Sequence, residues 1–232
     1  MIHHVPAEQR HFNDFEWLKT YWLFSFSDYR DPDNNRFGPL RVFNDDIVEP
    51  GTGFPTHPHR EMEIVTVVLE GEVTHEDSMG SRTVIGPGEV QRMSAGTGVT
   101  HSEYNRGKTP VHLCQVWFLP DRPGLTPSYE QKQFAEAQWK GSLLPLASGR
   151  GASGAVSIHA DATLYRCALE KGGRLPYFTG QGRGVFLYLL SGKLTLKGQA
   201  LEAGDQVRTE GEDTLTFEAE SLSDLILIDV KL

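Results

Sequence analysis

The feature that most constrains this fold is a series of short β-branched runs, cut by glycine and proline at intervals of about 8–12 residues. Glu63-Ile64-Val65-Thr66-Val67-Val68-Leu69, Arg82-Thr83-Val84-Ile85 and Val111 to Leu119 are strand-like. Glu49-Pro50-Gly51-Thr52-Gly53 and Gly86-Pro87-Gly88-Glu89 are turns between such runs. No stretch carries the 3.6-residue period of a long helix. The chain is therefore expected to be all-β, a sandwich or barrel. Thr20 to Phe26 reads as an early strand, and the aromatics of the surrounding stretch (Phe15, Trp17, Tyr21, Trp22, Phe24, Phe26) read as core packing. Leu40-Arg41-Val42-Phe43-Asn44 reads as a short strand ending before Asp45-Asp46.

The pattern occurs twice. Leu189-Leu190-Ser191-Gly192-Lys193-Leu194 echoes Val68-Leu69-Glu70-Gly71-Glu72-Val73, and Glu202-Ala203-Gly204-Asp205 echoes Gly86-Pro87-Gly88-Glu89, at offsets of 121 and 116 residues. Two domains are expected, residues 1–135 and 136–232, joined through a turn-rich stretch from Pro120 to about Gly154 in which Tyr129 to Trp139 is a short helix or an extended crossover.

The distribution of histidine is unequal between the copies. Eight of the nine histidines precede residue 120, leaving His159 alone in the second copy. In the first copy, His57-Pro58-His59 forms an H-x-H pair and His101-Ser102-Glu103 an H-x-E pair. Residues i and i+2 of a strand share a face. Two such pairs on neighbouring strands would aim three imidazoles and a carboxylate into one space, a donor set that suits Fe, Mn, Ni, Cu or Zn. Carried to the second copy, the offsets land on Phe178, Gly180, Phe217 and Ala219, which are not ligands.

Composition excludes several classes of function. The net charge of -9 disfavours direct binding of nucleic acid or an anionic membrane. Two cysteines, Cys114 and Cys167, make no disulfide framework and read as reduced and buried. The N-terminus lacks a signal-peptide core and no apolar run is long enough to span a bilayer, so a cytoplasmic location is expected.

Gly51-x5-His57-x-His59-x3-Glu63-x7-Gly71 resembles the first motif of the cupin superfamily, and Gly98-x2-His101-x3-Asn105 resembles the end of its second. More closely, the chain resembles pirin and the bacterial pirin-like proteins. Thr56-His57-Pro58-His59-Arg60, His75-Glu76-Asp77-Ser78-Met79-Gly80 and the run from Met93 to Asn105 carry this likeness. It is dense from about residue 15 to 135 and architectural beyond. The resemblance implies a bicupin: two tandem β-barrel (jelly-roll) domains facing each other, with one metal in the N-terminal barrel held by His57, His59, His101 and Glu103. It implies Fe(II) as the usual ion, with other divalent ions able to replace it. It further implies quercetin 2,3-dioxygenase activity, with a flavonol and O2 as substrates and Glu103 as the catalytic base. An iron-dependent regulatory role without catalysis, or a cupin enzyme with another substrate, are the alternatives it leaves. A monomer is expected, because the second domain can cover the first.

Around these residues, Glu63 competes with Glu103 as the carboxylate ligand and is expected instead to orient a histidine. His75 reads as structural, and His112 and His159 as strand histidines. Arg60 and Tyr104 flank the ligand pairs. Cys114 has no Cys-His-Asn arrangement around it and reads as core.

Overall fold

The computed structural model describes all residues, Met1–Leu232. Secondary structure is almost entirely β, the helical content being two 3-10 turns at Ala7–Gln9 and Glu136–Gln138. The chain forms two compact units. The N-terminal unit comprises His11–Phe134 with Val156–Ala160, and the C-terminal unit comprises Met1–Arg10, Ala135–Ala155 and Asp161–Leu232.

The chain opens with β1 (Ile2–Val5). The N-terminal unit then supplies β2 (His11–Asp14), β3 (Leu18–Trp22), β4 (Leu40–Val48), β5 (Gly53–His59), β6 (Glu63–Glu70) and β7 (Val73–Asp77). It continues with β8 (Arg82–Ile85), β9 (Glu89–Ser94), β10 (Val99–Tyr104), β11 (Val111–Phe118) and β12 (Ser128–Gln133). These make a larger sheet in the order β12-β9-β6-β11-β4-β3-β2 and a four-stranded sheet in the order β5-β10-β7-β8. Leu18, Val48, Val68, Val111 and Leu113 of the larger sheet pack against Val73 and Ile85 of the smaller one. Alternation makes this possible, since every second side chain of each strand points inward.

After β13 (Leu144–Ser148), β14 (Val156–Ser157) returns to the N-terminal unit. The remaining strands are β15 (Ala162–Leu169), β16 (Arg174–Phe178), β17 (Arg183–Ser191), β18 (Lys193–Leu196), β19 (Gln199–Glu202), β20 (Gln206–Glu210), β21 (Thr214–Ala219) and β22 (Ser223–Lys231). The C-terminal unit repeats the two-sheet plan with the orders β1-β20-β17-β22-β15-β13 and β16-β21-β18-β19. Leu187, Leu189, Leu194, Phe217 and Leu227 form its core. Phe217, in a position the repeat aligns with a histidine, is fully buried in that core, whereas Phe178 is 76% exposed.

Three details differ from expectation. The units exchange short segments: β1 pairs with β20 from Ile2↔Thr209 to Val5↔Gln206, completing the C-terminal unit, so the units do not divide simply at residue 135. Of the stretch from Tyr129 to Trp139, only Glu136–Gln138 is a short 3-10 helix, and residues 128–133 are an edge strand paired with β9 from Ser128↔Ser94 to Gln133↔Glu89. Strand β4 does not stop at Asn44 but runs through Asp45 and Asp46 to Val48. Two consecutive aspartates are poor strand formers. Here Asp45 accepts a hydrogen bond from His112 Nε2 on the next strand at 2.6 Å, while Asp46 lines an internal cavity.

Candidate metal centre

Strands β5 and β10 run antiparallel, with His57 opposite His101 and His59 opposite Val99. An irregularity in the register between His101 and Glu103 brings Glu103 opposite Phe54. On its other edge β10 meets β7, so that Glu103 faces His75 and His101 faces Asp77. Gly53 is needed where β5 begins, because a Cβ there would lie 2.2 Å from the Glu103 carbonyl oxygen.

The H-x-H and H-x-E pairs thus converge on one space. The ring centroids of His57 and His101 lie 4.5 Å apart, those of His57 and His59 4.8 Å, and those of His59 and His101 4.9 Å. The ligand atoms of His57, His59 and His101 form one cluster within 4.8 Å, and those of His75, His101 and Glu103 form a second. His101 belongs to both.

Hydrogen bonds fix which nitrogen His57 and His101 offer. A carbonyl can only accept, so His57 Nδ1 donates to Pro55 O at 2.7 Å and its Nε2 keeps a lone pair. Asp77 Oδ2 accepts from His75 Nε2 at 3.0 Å. His75 Nδ1 is then the acceptor for His101 Nδ1, 3.4 Å away. His101 Nε2 is left as a lone-pair donor, and it is buried without any partner. Burial and the neighbouring His101 and His57 push the His59 imidazole down to about 4, and burial with His57 and His75 pushes His101 down to about 3. Neutral rings around an orphaned nitrogen fit a divalent transition ion. His57, His59, His101 and Glu103 could hold it.

Glu103 is itself held in place. It is 2% exposed, and Gln91 Nε2 donates to its Oε1 while Gln115 Nε2 donates to its Oε2 at 2.7 Å. Gln91 Oε1 accepts from the Tyr129 hydroxyl at 3.2 Å, and Gln115 Oε1 accepts from Trp117 Nε1 at 3.0 Å. Burial raises the Tyr129 hydroxyl to about 12, with the charge of Glu103 adding to the effect, so it remains a donor.

Beside the cluster lies a cavity of about 320 Å³ whose walls include His57, His59 and Glu103. This volume falls within the range of about 300–1,000 Å³ common for small-molecule sites. Aromatic side chains dominate the rest of the wall, among them Phe15, Trp22, Phe26, Phe54 and Trp117. Three of these belong to the early aromatic segment expected to be core.

Other expectations are corrected. Glu63 orients no histidine of the cluster: its Oε2 accepts from Ser94 Oγ at 2.9 Å and from the His159 backbone N–H at 3.0 Å. His75 does more than fill space, since it sets the tautomer of His101. Its pairing with Asp77 was legible as an H-x-D pair of the same spacing as H-x-H. Arg60 and Tyr104 line no part of this cavity, and Tyr104 lies beneath the Arg106 guanidinium at 5.7 Å. Both cysteines are buried and neither is in a disulfide, as expected.

Comparison with known proteins places this geometry. The profile described as pirin matches residues 5–118, and that described as the quercetinase C-terminal cupin domain matches residues 145–230. The chain is 40% identical over 231 residues to the quercetin 2,3-dioxygenase of Escherichia coli (strain K12), covering 99% of each.

The chain belongs to the pirin family.

A Caulobacter vibrioides pirin-like protein is 37% identical to it, covering 99% of each chain. The crystal structure of the bacterial pirin YhhW from Escherichia coli in complex with nickel(II) superposes with a TM-score of 0.94 at 38% identity, covering 100% of this chain and 99% of that one. The two-unit, all-β architecture of this pirin is thus that of a bicupin.

Proposed function

We propose that this pirin is a metal-dependent dioxygenase that opens the ring of flavonols such as quercetin with O2. One observation carries the reading. His101, whose tautomer-fixed Nε2 is orphaned, clusters with His57 and His59 and also with Glu103, and His57, His59 and Glu103 line an aromatic cavity. The name of the Escherichia coli relative and the nickel in the related structure support it. His57, His59, His101 and Glu103 would hold the ion, Fe(II) being the first candidate. When bound, such an ion supplies Lewis-acid polarisation of a substrate oxygen and redox access to O2.

The remaining work falls to the chain. Glu103 takes the proton of the flavonol 3-hydroxyl, making the ring electron-rich. Gln91 and Gln115 each occupy one direction on a carboxylate oxygen and fix the orientation of the group that receives it. Asp77 and His75 keep a proton on His101 Nδ1 and off Nε2. Trp22, Phe26 and Trp117 hold the flat rings and exclude bulk water.

The test is aerobic turnover of quercetin by protein reconstituted with Fe(II), Mn(II), Ni(II), Co(II) or Cu(II), with released carbon monoxide measured directly. Ring cleavage with one or more ions, lost in Glu103→Ala, is expected. Metal-loaded protein that releases no carbon monoxide with any ion would refute the flavonol assignment.

A further inference from the structure

The cavity wall away from the histidines carries polar atoms for which the fold has no use. Asn44 Oδ1 and Asp46 Oδ1 are buried without hydrogen-bond partners. The buried Thr20 hydroxyl has no well-formed bond either, though it lies close enough to Asp46 to offset part of the rise that burial imposes on that carboxyl. Thr20 is 0% exposed, Asn44 3% and Asp46 2%, and all three line the cavity. They are neighbours by register. Thr20 faces Asp46 and Trp22 faces Asn44 between β3 and β4, and Asn44 faces Gln115 between β4 and β11. The strip therefore runs from Thr20 and Asp46 through Asn44 to Gln115, which holds Glu103. Buried oxygens without partners cost stability. A wall shaped only for packing would carry valine or leucine at these positions.

We propose that Thr20, Asn44 and Asp46 form a hydroxyl-recognition subsite, which binds the phenolic O–H groups of an aromatic substrate and discriminates against analogues lacking them. This deepens the proposed function and rests on the cavity being the flavonol site. An amide oxygen such as Asn44 Oδ1 can only accept, so it calls for a ligand O–H or N–H. Burial, aided by the charges of Asp45 and Glu103, raises the Asp46 carboxyl to about 7, so that near neutrality it donates as well as accepts. The lining has no lysine or arginine to pair with a carboxylate or phosphate ligand. The adjoining faces of Trp22, Phe26 and Trp117 suit a flat ring. A neutral polyphenol meets all of these conditions.

The test compares quercetin with 3-hydroxyflavone, which keeps the 3-hydroxyl and lacks the other ring hydroxyls. Dissociation constants for metal-loaded protein are read from quenching of tryptophan fluorescence, independently of turnover. In Thr20→Val and Asn44→Leu, the wild-type preference for quercetin should fall about tenfold, while 3-hydroxyflavone binding changes less than about twofold. The melting temperature of each variant should hold or rise, because an unsatisfied buried oxygen has been removed. Asp46→Asn, of nearly the same shape, provides a third variant should either of the others fail to fold. Unchanged preference in folded variants would overturn the subsite and leave the proposed function standing. Displacement of quercetin by the aromatic amine tryptamine at lower concentration than by 3-hydroxyflavone would assign the strip to cations and overturn it too. Wild-type protein that binds neither flavonol would refute the proposed function itself, and the subsite with it.

Discussion

Asp77→Asn, a change of one heavy atom in a residue outside the proposed ligand set, should weaken metal binding by reversing a histidine tautomer. Asp77 divides its oxygens between two tasks. Oδ1 accepts from the backbone N–H groups of Met79 at 2.9 Å and Ser81 at 3.0 Å, and Oδ2 accepts from His75 Nε2 at 3.0 Å. Although burial alone would raise it, the hydrogen bonds from His75, Ser81 and Met79 hold this carboxyl below the usual range. Asparagine has one acceptor oxygen, and the two backbone donors claim it. Its NH2 then faces His75, whose Nε2 must turn acceptor and whose Nδ1 must carry the proton. His75 then donates to His101 Nδ1, and the His101 proton moves to Nε2, where a lone pair is required. Loss of such an orienting partner typically costs about 10–100-fold in metal affinity, equivalent to about 1.4–2.7 kcal/mol. Competition of wild type and variant against a chelator of known Ni(II) affinity measures it, with circular dichroism confirming the fold. A folded variant whose affinity falls less than about threefold would refute this tautomer reasoning.

Other consequences follow from the same geometry. Asp46 is protonated in the folded protein up to about 7 against a usual 3.8, so its contribution to stability is full below about 4, declines as pH rises, and is lost above about 7. The decline amounts to a few kcal/mol at most. Urea titrations across this window should show the pH dependence flattened and stability at pH 8 raised in Asp46→Asn. Gly53→Ala should strain the start of β5 against the Glu103 carbonyl, lowering stability by about 1–3 kcal/mol and weakening Ni(II) binding in the chelator assay. Burial, with the charge of Asp224, pushes the Cys167 thiol up to about 12, and Cys114 is fully buried. Neither should react with a chromogenic disulfide reagent at neutral pH until urea unfolds the protein.

The histidine cluster was legible because strand alternation converts two sequence pairs into one direction in space, and their positions on β5 and β10 needed only a common register. The doubled β pattern likewise announced two similar units. Asp46 was not legible. A run of two aspartates before a Pro-Gly turn reads as loop, and only pairing with β3 and β11 reveals that β4 continues and turns Asp46 inward. Phe15, Trp22 and Phe26 posed a related difficulty: the same residue types line a cavity or fill a core, and sequence does not show which volume the backbone leaves open. Gln91 and Gln115 had no signal at all, since one amide in a strand says nothing of the carboxylate beyond it. The exchange of β1 into the C-terminal unit depends on a pairing between residues more than 200 positions apart, outside any local pattern.

The most direct measurement is metal stoichiometry, determined by elemental analysis after loading with Fe(II) under argon and removal of free ion, for wild type beside His101→Ala. About one ion per chain in the wild type is expected, and less than about a tenth of that in the variant, which loses the residue shared by both clusters. A metal-free wild type, or a folded variant that retains a full equivalent, would contradict the assignment of this centre.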